Sequence, residues 1–169
     1  TYLTVIDINK FKAINDRYGH AEGDAALKHT ANILRNIAAK HDNIFIARFG
    51  GDEFIILSKG ERYTNDICAE FKNALTRFNA AHQKPWELSV SLGSAPYKTE
   101  YRDFEEWFTQ ADSEMYKEKK RKTAAAQTHK GTSKNLPSAI FQNCDTARTR
   151  HFAYAFSINI RQTSRGYCL

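Results

Sequence analysis

The sequence predicts an α+β domain built on an antiparallel or mixed sheet rather than a doubly wound one. Three observations carry this: segments read in the order strand, helix, hairpin, helix, strand, helix; a Gly-Gly pair stands between two short apolar runs; and the helical segments repeat apolar residues at i, i+3 and i+4. Residues 2–8, Tyr-Leu-Thr-Val-Ile-Asp-Ile, are β-branched and mostly apolar, which suits a central strand buried on both faces. A polar stretch from Asn9 offers backbone N–H groups in a turn or early helical turn, where phosphate oxygens can be cradled. Gly19-His20 and Gly23-Asp24 then lead into a helix marked by Leu27, Ala31, Leu34 and Ala38 and ending near Lys40, with Asp24 close to its N-terminus as a capping residue.

Residues 43–49 and 52–57 flank Gly50-Gly51 as a β-hairpin with two acids in its turn. Ile67, Phe71, Leu75 and Phe78 mark a helix over about Thr64–Asn79. Leu88, Val90 and Leu92 alternate as a half-buried strand ending at Gly93. A last helix, about Asp103–Lys122, buries Trp107, Phe108, Ala111 and Met115, and its run Lys119-Lys-Arg-Lys122 complements the dipole of a final turn.

The chain has 169 residues, is 41% hydrophobic and carries a net charge of +6. That composition supports a core and excludes wholesale disorder. Residues 1–123 hold 19 Lys and Arg against 18 Asp and Glu, a net of +1, so the basic excess belongs to 124–169. The domain is therefore placed at 1–123. Residues 124–138 read as a linker in a basic tail over 124–169, with one further strand at 151–161. The tail has no recognised nucleic-acid module and no interleaved aromatic platform in Lys/Arg-rich sequence, so nucleic-acid binding ranks last among the functions. No run approaches the length of a bilayer span, and no leader is recognised at the N-terminus. Cys68, Cys144 and Cys168 form neither a disulfide framework nor a zinc pattern; a reducing cytoplasm fits, and Cys68 reads as a small buried hydrophobe.

Asp7 at a strand end and Asp52 and Glu53 in a neighbouring hairpin turn can converge as a hard, oxygen-rich site of the kind that takes Mg²⁺ with phosphates. Acids in turns are as a rule merely solvated, so spacing alone is weak. The text around them is more specific. Asp7-Ile-Asn-Lys-Phe-Lys-Ala-Ile-Asn-Asp16, Gly19-His-Ala-Glu-Gly-Asp24, Arg48-Phe-Gly-Gly-Asp-Glu-Phe54, Val90-Ser-Leu-Gly93 and Ala111-Asp-Ser-Glu-Met-Tyr-Lys-Glu-Lys119 resemble, in order and spacing, the GGDEF domain of bacterial diguanylate cyclases.

The resemblance implies a palm-like fold of the adenylate cyclase and polymerase-palm type, with a central antiparallel sheet flanked by helices. It implies condensation of two GTP to cyclic di-GMP and two pyrophosphates by a homodimer, one GTP per subunit. By position, Asp7, the Ile8 carbonyl and Glu53 would hold Mg²⁺, with Mn²⁺ as the alternative ion. Asp52 would assist the metal or deprotonate the ribose 3′-hydroxyl. Asn15 and Asp24 would read guanine, whose N1–H and amine a carboxylate can accept and adenine cannot match. Phe11, Lys12, Gly50, Gly51 and Lys119 would complete the substrate site, the glycines by letting the backbone approach the nucleotide. His20 is assigned a turn-stabilising hydrogen bond rather than a base role, and Arg48 a brace on the hairpin.

The sequence departs from the family pattern in three places. His41-Asp-Asn-Ile44 stands where an Arg-x-x-Asp product-inhibition motif is usual, so that inhibition is expected to be absent. Thr123 stands where an arginine four beyond Lys119 is usual, leaving Arg121 or Lys122 as its substitute. The helix and Asp-x-Leu-Thr-Gly-Leu-x-Asn-Arg segment that normally precede the first strand are not in the sequence, which reads as N-terminally truncated, without the upstream sensor or dimerisation domain that commonly switches such enzymes on. The competing reading is a GTP-binding regulatory module or a remnant that turns nothing over.

Overall fold

The computed structural model describes residues 1–81 and 83–128, with side chains placed as far as Ala125. The tail strand expected at 151–161, and Cys144 and Cys168, lie outside the described residues. Eight elements follow in order: β1 Tyr2–Ile8, α1 Phe11–Tyr18, α2 His20–Ala38, β2 Phe45–Gly50, β3 Glu53–Ser58, α3 Glu61–Ala80, β4 Val90–Pro96 and α4 Phe104–Thr128. The strands form one antiparallel sheet in the order β2-β3-β1-β4.

Alternation along β1 divides the core between two layers. Ile6 and Ile8 pack with Leu34, Ile37, Ile67 and Phe71 of α2 and α3 on one face. Leu3 and Val5 pack with Ile55, Ala95 and Trp107, Phe108, Ala111 and Met115 of α4 on the other. A strand buried on both faces is therefore apolar at nearly every position, as its sequence suggests. The Trp107 indole N–H is satisfied inside this second layer by the Ala95 carbonyl at 3.0 Å.

Three boundaries differ from expectation, each for a physical reason. The stretch after Asn9, expected as a turn or early helical turn, is a full helix: α1 makes two turns and buries Ile14, and Gly19, at φ 86, separates it from α2. Helix α2 consequently starts at His20, without a side-chain cap, and Asp24 sits one turn inside it. Strand β4 does not stop at Gly93 but runs through it to Pro96. A Cβ at Gly93 would collide with the Met115 backbone nitrogen and the Ala111 carbonyl, so this glycine lets α4 lie against the sheet rather than ending the strand. Finally, α4 continues to Thr128 and has no basic residue in its last turn. The Lys119–Lys122 run lies inside the helix, and two of its cations, Lys119 and Lys122, bind groups on the sheet.

Candidate functional site

The site forms at the end of β1, where the sheet register aligns its acids. Asp7 stands directly opposite Glu53 of β3, two positions beyond the Val5–Ile55 pair, which places both carboxylates on the α4 face. The turn before Glu53 is fixed by its own chemistry. A bulge interrupts the ladder between Arg48 and Gly50, Gly51 takes φ 45, and Arg48 donates from Nε and Nη2 to the Gly51 carbonyl at 3.1 and 2.6 Å. Arg48 is thus the hairpin brace that was expected. The Ile8 N–H donates to the Asp52 carbonyl at 3.2 Å, tying the end of β1 to the same turn.

Asp7 is 8% exposed. Burial pushes its carboxyl above the ordinary aspartate value, the Lys119 ammonium pulls it back, and nearby Asp52 pushes it up again. Lys119 reaches across from α4 to within 2.7 Å of Asp7 Oδ1. Asp112, two helical turns before Lys119, is also held above the ordinary value, by burial first and then by Asp7, with Lys119 opposing. Sequence reasoning passed over Asp112, although its seven-residue spacing from Lys119 puts the two on one helix face.

The remaining residues expected in the site lie on α1 and α2. Asn15 lies against Gly23: a Cβ there would strike the Asn15 amide. This close approach brings Asn15 to the turn of α2 that carries Asp24, which is exposed. Phe11 is half-buried against the core and Lys12 is exposed on the same helix. The chain enters α1 through Lys10 at φ 60. Asn9 is pinned to the strand beside it, donating to Ser89 Oγ at 3.0 Å and accepting from Ser91 Oγ at 2.8 Å. His20 is exposed, and no hydrogen bond from its ring to a turn is found among the described residues. Lys122, one of the two suggested arginine substitutes, is instead bound to the Val90 carbonyl at 2.5 Å and to Glu118 at 3.1 Å.

Two carboxylates on adjacent strands, with a carbonyl-rich strand end beside them, suit a hard cation that also takes oxygens from a phosphate. Among the described residues no group of three or more His, Cys, Asp or Glu is placed to hold a metal by itself. The donor set is therefore not an all-protein cage, and Mg²⁺ ordinarily does not use one. That a cation can sit at Asp7 Oδ1 is visible in the Lys119 ammonium already there.

A family model described as diguanylate cyclase, GGDEF domain, matches residues 1–125. The chain belongs to the GGDEF domain family. It is 35% identical over 118 residues to diguanylate cyclase DgcS of Shewanella oneidensis, covering 69% of this chain and 38% of that protein. Among solved structures it is similar to an EAL/GGDEF domain protein from M. capsulatus, at 30% identity and a TM-score of 0.58, covering 71% of this chain and 78% of that one. It is similar also to the active GGEEF domain of a diguanylate cyclase from Vibrio cholerae, at 26% identity and a TM-score of 0.58, covering 71% and 76%. The palm-like α+β architecture expected from the motifs is the architecture of this GGDEF domain. Among its described residues no helix is long and apolar enough to cross a membrane.

Proposed function

We propose that this GGDEF domain is the catalytic domain of a diguanylate cyclase, condensing two GTP into cyclic di-GMP with release of two pyrophosphates. The observation that carries the reading is the Asp7–Glu53 pair, two carboxylates set opposite each other across adjacent strands beside the Gly50-Gly51 turn. In this reading Asp7, Glu53 and the Ile8 carbonyl hold Mg²⁺, for which Mn²⁺ can substitute. Bound there, the ion would offset phosphate charge and make the 3′-hydroxyl a better nucleophile.

The chain's own groups do the rest. Asn15 and Asp24 recognise the guanine edge, which selects GTP over ATP. Lys12 and Lys119 take the phosphates, Lys119 exchanging its partner Asp7 for a phosphate oxygen as substrate arrives. Gly50 and Gly51 carry no Cβ to obstruct the nucleotide, and Phe11 anchors α1 to the core beneath it. Asp52 lies beside the metal ligands as the group that assists the metal or receives the hydroxyl proton. Since each half-site holds one GTP, the reaction needs two copies face to face, and a homodimer is part of the proposal. A domain outside this chain that brings the copies together fits the greater length of the relatives. Placement in the cytoplasm, where GTP is available, belongs to the same reading. So does the absence of product inhibition at His41–Ile44, where no arginine and aspartate stand at the ends of the segment.

The reading is tested by incubating the protein with GTP and Mg²⁺ and following pyrophosphate. It predicts release at a rate that rises faster than linearly with protein concentration, because the active species is a dimer. GTP binding without pyrophosphate release at any concentration would select the regulatory-module reading.

A further inference from the structure

Helix α4 changes its means of support halfway along. As far as Met115 it is held by apolar packing on the sheet: Trp107, Phe108, Ala111 and Met115 are all buried. From Tyr116 to Ala125 no residue of the helix is buried. Yet this is the half that carries Lys119, and Lys119–Lys122 are four consecutive cations that repel one another.

What holds that half is polar and centres on Glu118. Its Oε2 accepts the Leu92 N–H at 2.8 Å. Its Oε1 pairs with Lys72 of α3 at 3.0 Å and with Lys122 at 3.1 Å. Lys122 in turn donates to the Val90 carbonyl at 2.5 Å. Among the described residues strand β4 lies at the end of the sheet and is paired with β1 alone. The backbone groups of Leu92 and Val90 that would bond to a further strand are therefore met by a carboxylate and an ammonium one helical turn apart. Against the burial that would raise it, the Leu92 N–H, Lys72 and Lys122 keep the Glu118 carboxyl below the ordinary value, consistent with a charge that is well met.

We propose that Glu118 is a positioning residue: by gripping the open edge of β4 it fixes the turn of α4 that carries Lys119, and so sets Lys119 over Asp7. The inference rests on the cyclase reading only in treating Lys119 as a substrate-facing group. The grip itself is a property of the protein without nucleotide.

The test has two arms. In the nucleotide-free protein the ¹⁵N-ammonium signal of Lys119 reports its pairing with Asp7. Glu118→Ala is expected to speed proton exchange at that ammonium by about tenfold, whereas Glu118→Gln, which keeps an oxygen for the Leu92 N–H, retains most of the protection. In titrations with Mg²⁺ and GTP, Glu118→Ala and Lys119→Ala should each weaken binding by about tenfold, and the double variant should bind no worse than Lys119→Ala alone. An unchanged Lys119 signal in Glu118→Ala overturns the proposal, as does an equal further loss of binding when Glu118→Ala is added to Lys119→Ala. If the unaltered protein binds no GTP, the cyclase reading fails while the ammonium signal still decides this one.

Discussion

Lys119 Nζ lies 2.7 Å from Asp7 Oδ1, joining residues 112 apart in sequence and bringing the second half of α4 to the end of the central strand. The pair is part-open to solvent on the lysine side, whose side chain is 39% exposed, and nearly closed on the aspartate side, whose side chain is 11% exposed. A buried carboxylate beside a second acid, Asp52, needs a cation. A flexible lysine is a partner that can leave when a metal ion and phosphates arrive. Lys119→Met should therefore weaken GTP binding while raising the apparent affinity for Mg²⁺ alone, both read by calorimetry on the purified protein.

Gly93→Ala should damage stability and site together. The added methyl meets backbone atoms of Ala111 and Met115, which cannot rotate away, so α4 must lift from the sheet. A loss of about 1–3 kcal/mol in urea unfolding is expected. GTP binding should fall as well, because Lys119 rides on the same helix. Unfolding unchanged from the parent protein would show that α4 does not depend on this contact.

Gly23→Ala separates recognition from folding. The atoms its methyl would meet belong to the Asn15 side chain, which can swing aside. The fold should survive, with a melting temperature within a few degrees. The preference for GTP over ATP should shrink. Competition binding of the two nucleotides reads this directly, and a preserved preference would remove Asn15 from the guanine site.

Acid should loosen the segment that leads into β4. Glu22 accepts the Trp86 indole N–H at 2.8 Å and pairs with Lys84 at 3.1 Å. The Trp86 hydrogen bond first, then Lys84, hold its carboxyl below the ordinary glutamate value of 4.5. A carboxyl lowered on folding contributes stability above its unfolded value, and that contribution is lost as pH falls through the folded value. Glu22→Gln should lower stability in the neutral region, where the contribution is fully present, and flatten the fall below about pH 4.5, so that the two profiles converge in acid. Thermal melts from pH 3 to 7 check it.

Much of this arrangement was legible in the sequence where one residue type has one dominant reason to be there. The apolar run of β1, the Gly-Gly hairpin and the helical spacing of Trp107, Phe108, Ala111 and Met115 each state their burial directly. The departures occur where a residue serves a distant neighbour. Gly93 reads locally as a strand breaker, but its reason is the α4 backbone overhead. Lys119 and Lys122 read as a cationic last turn, but their partners are Asp7 and the edge of β4. Helix α1 was hidden because a helix of 8 residues with only Ile14 fully buried has little periodicity to display. For the site, the sequence set Asp7 at a strand end beside a hairpin turn that holds Glu53. It could not reveal that Glu53 opens β3 in face-to-face register with Asp7, nor that Glu118 meets the backbone of β4.

The most direct test of the central claim is chromatographic identification of product from GTP and Mg²⁺, with the parent protein and Glu53→Ala run side by side at a concentration high enough to dimerise. Cyclic di-GMP is expected from the parent and none from a Glu53→Ala variant that melts normally. Product formed equally by both would contradict the claim, because the Asp7–Glu53 pair would then not be where the reaction is held.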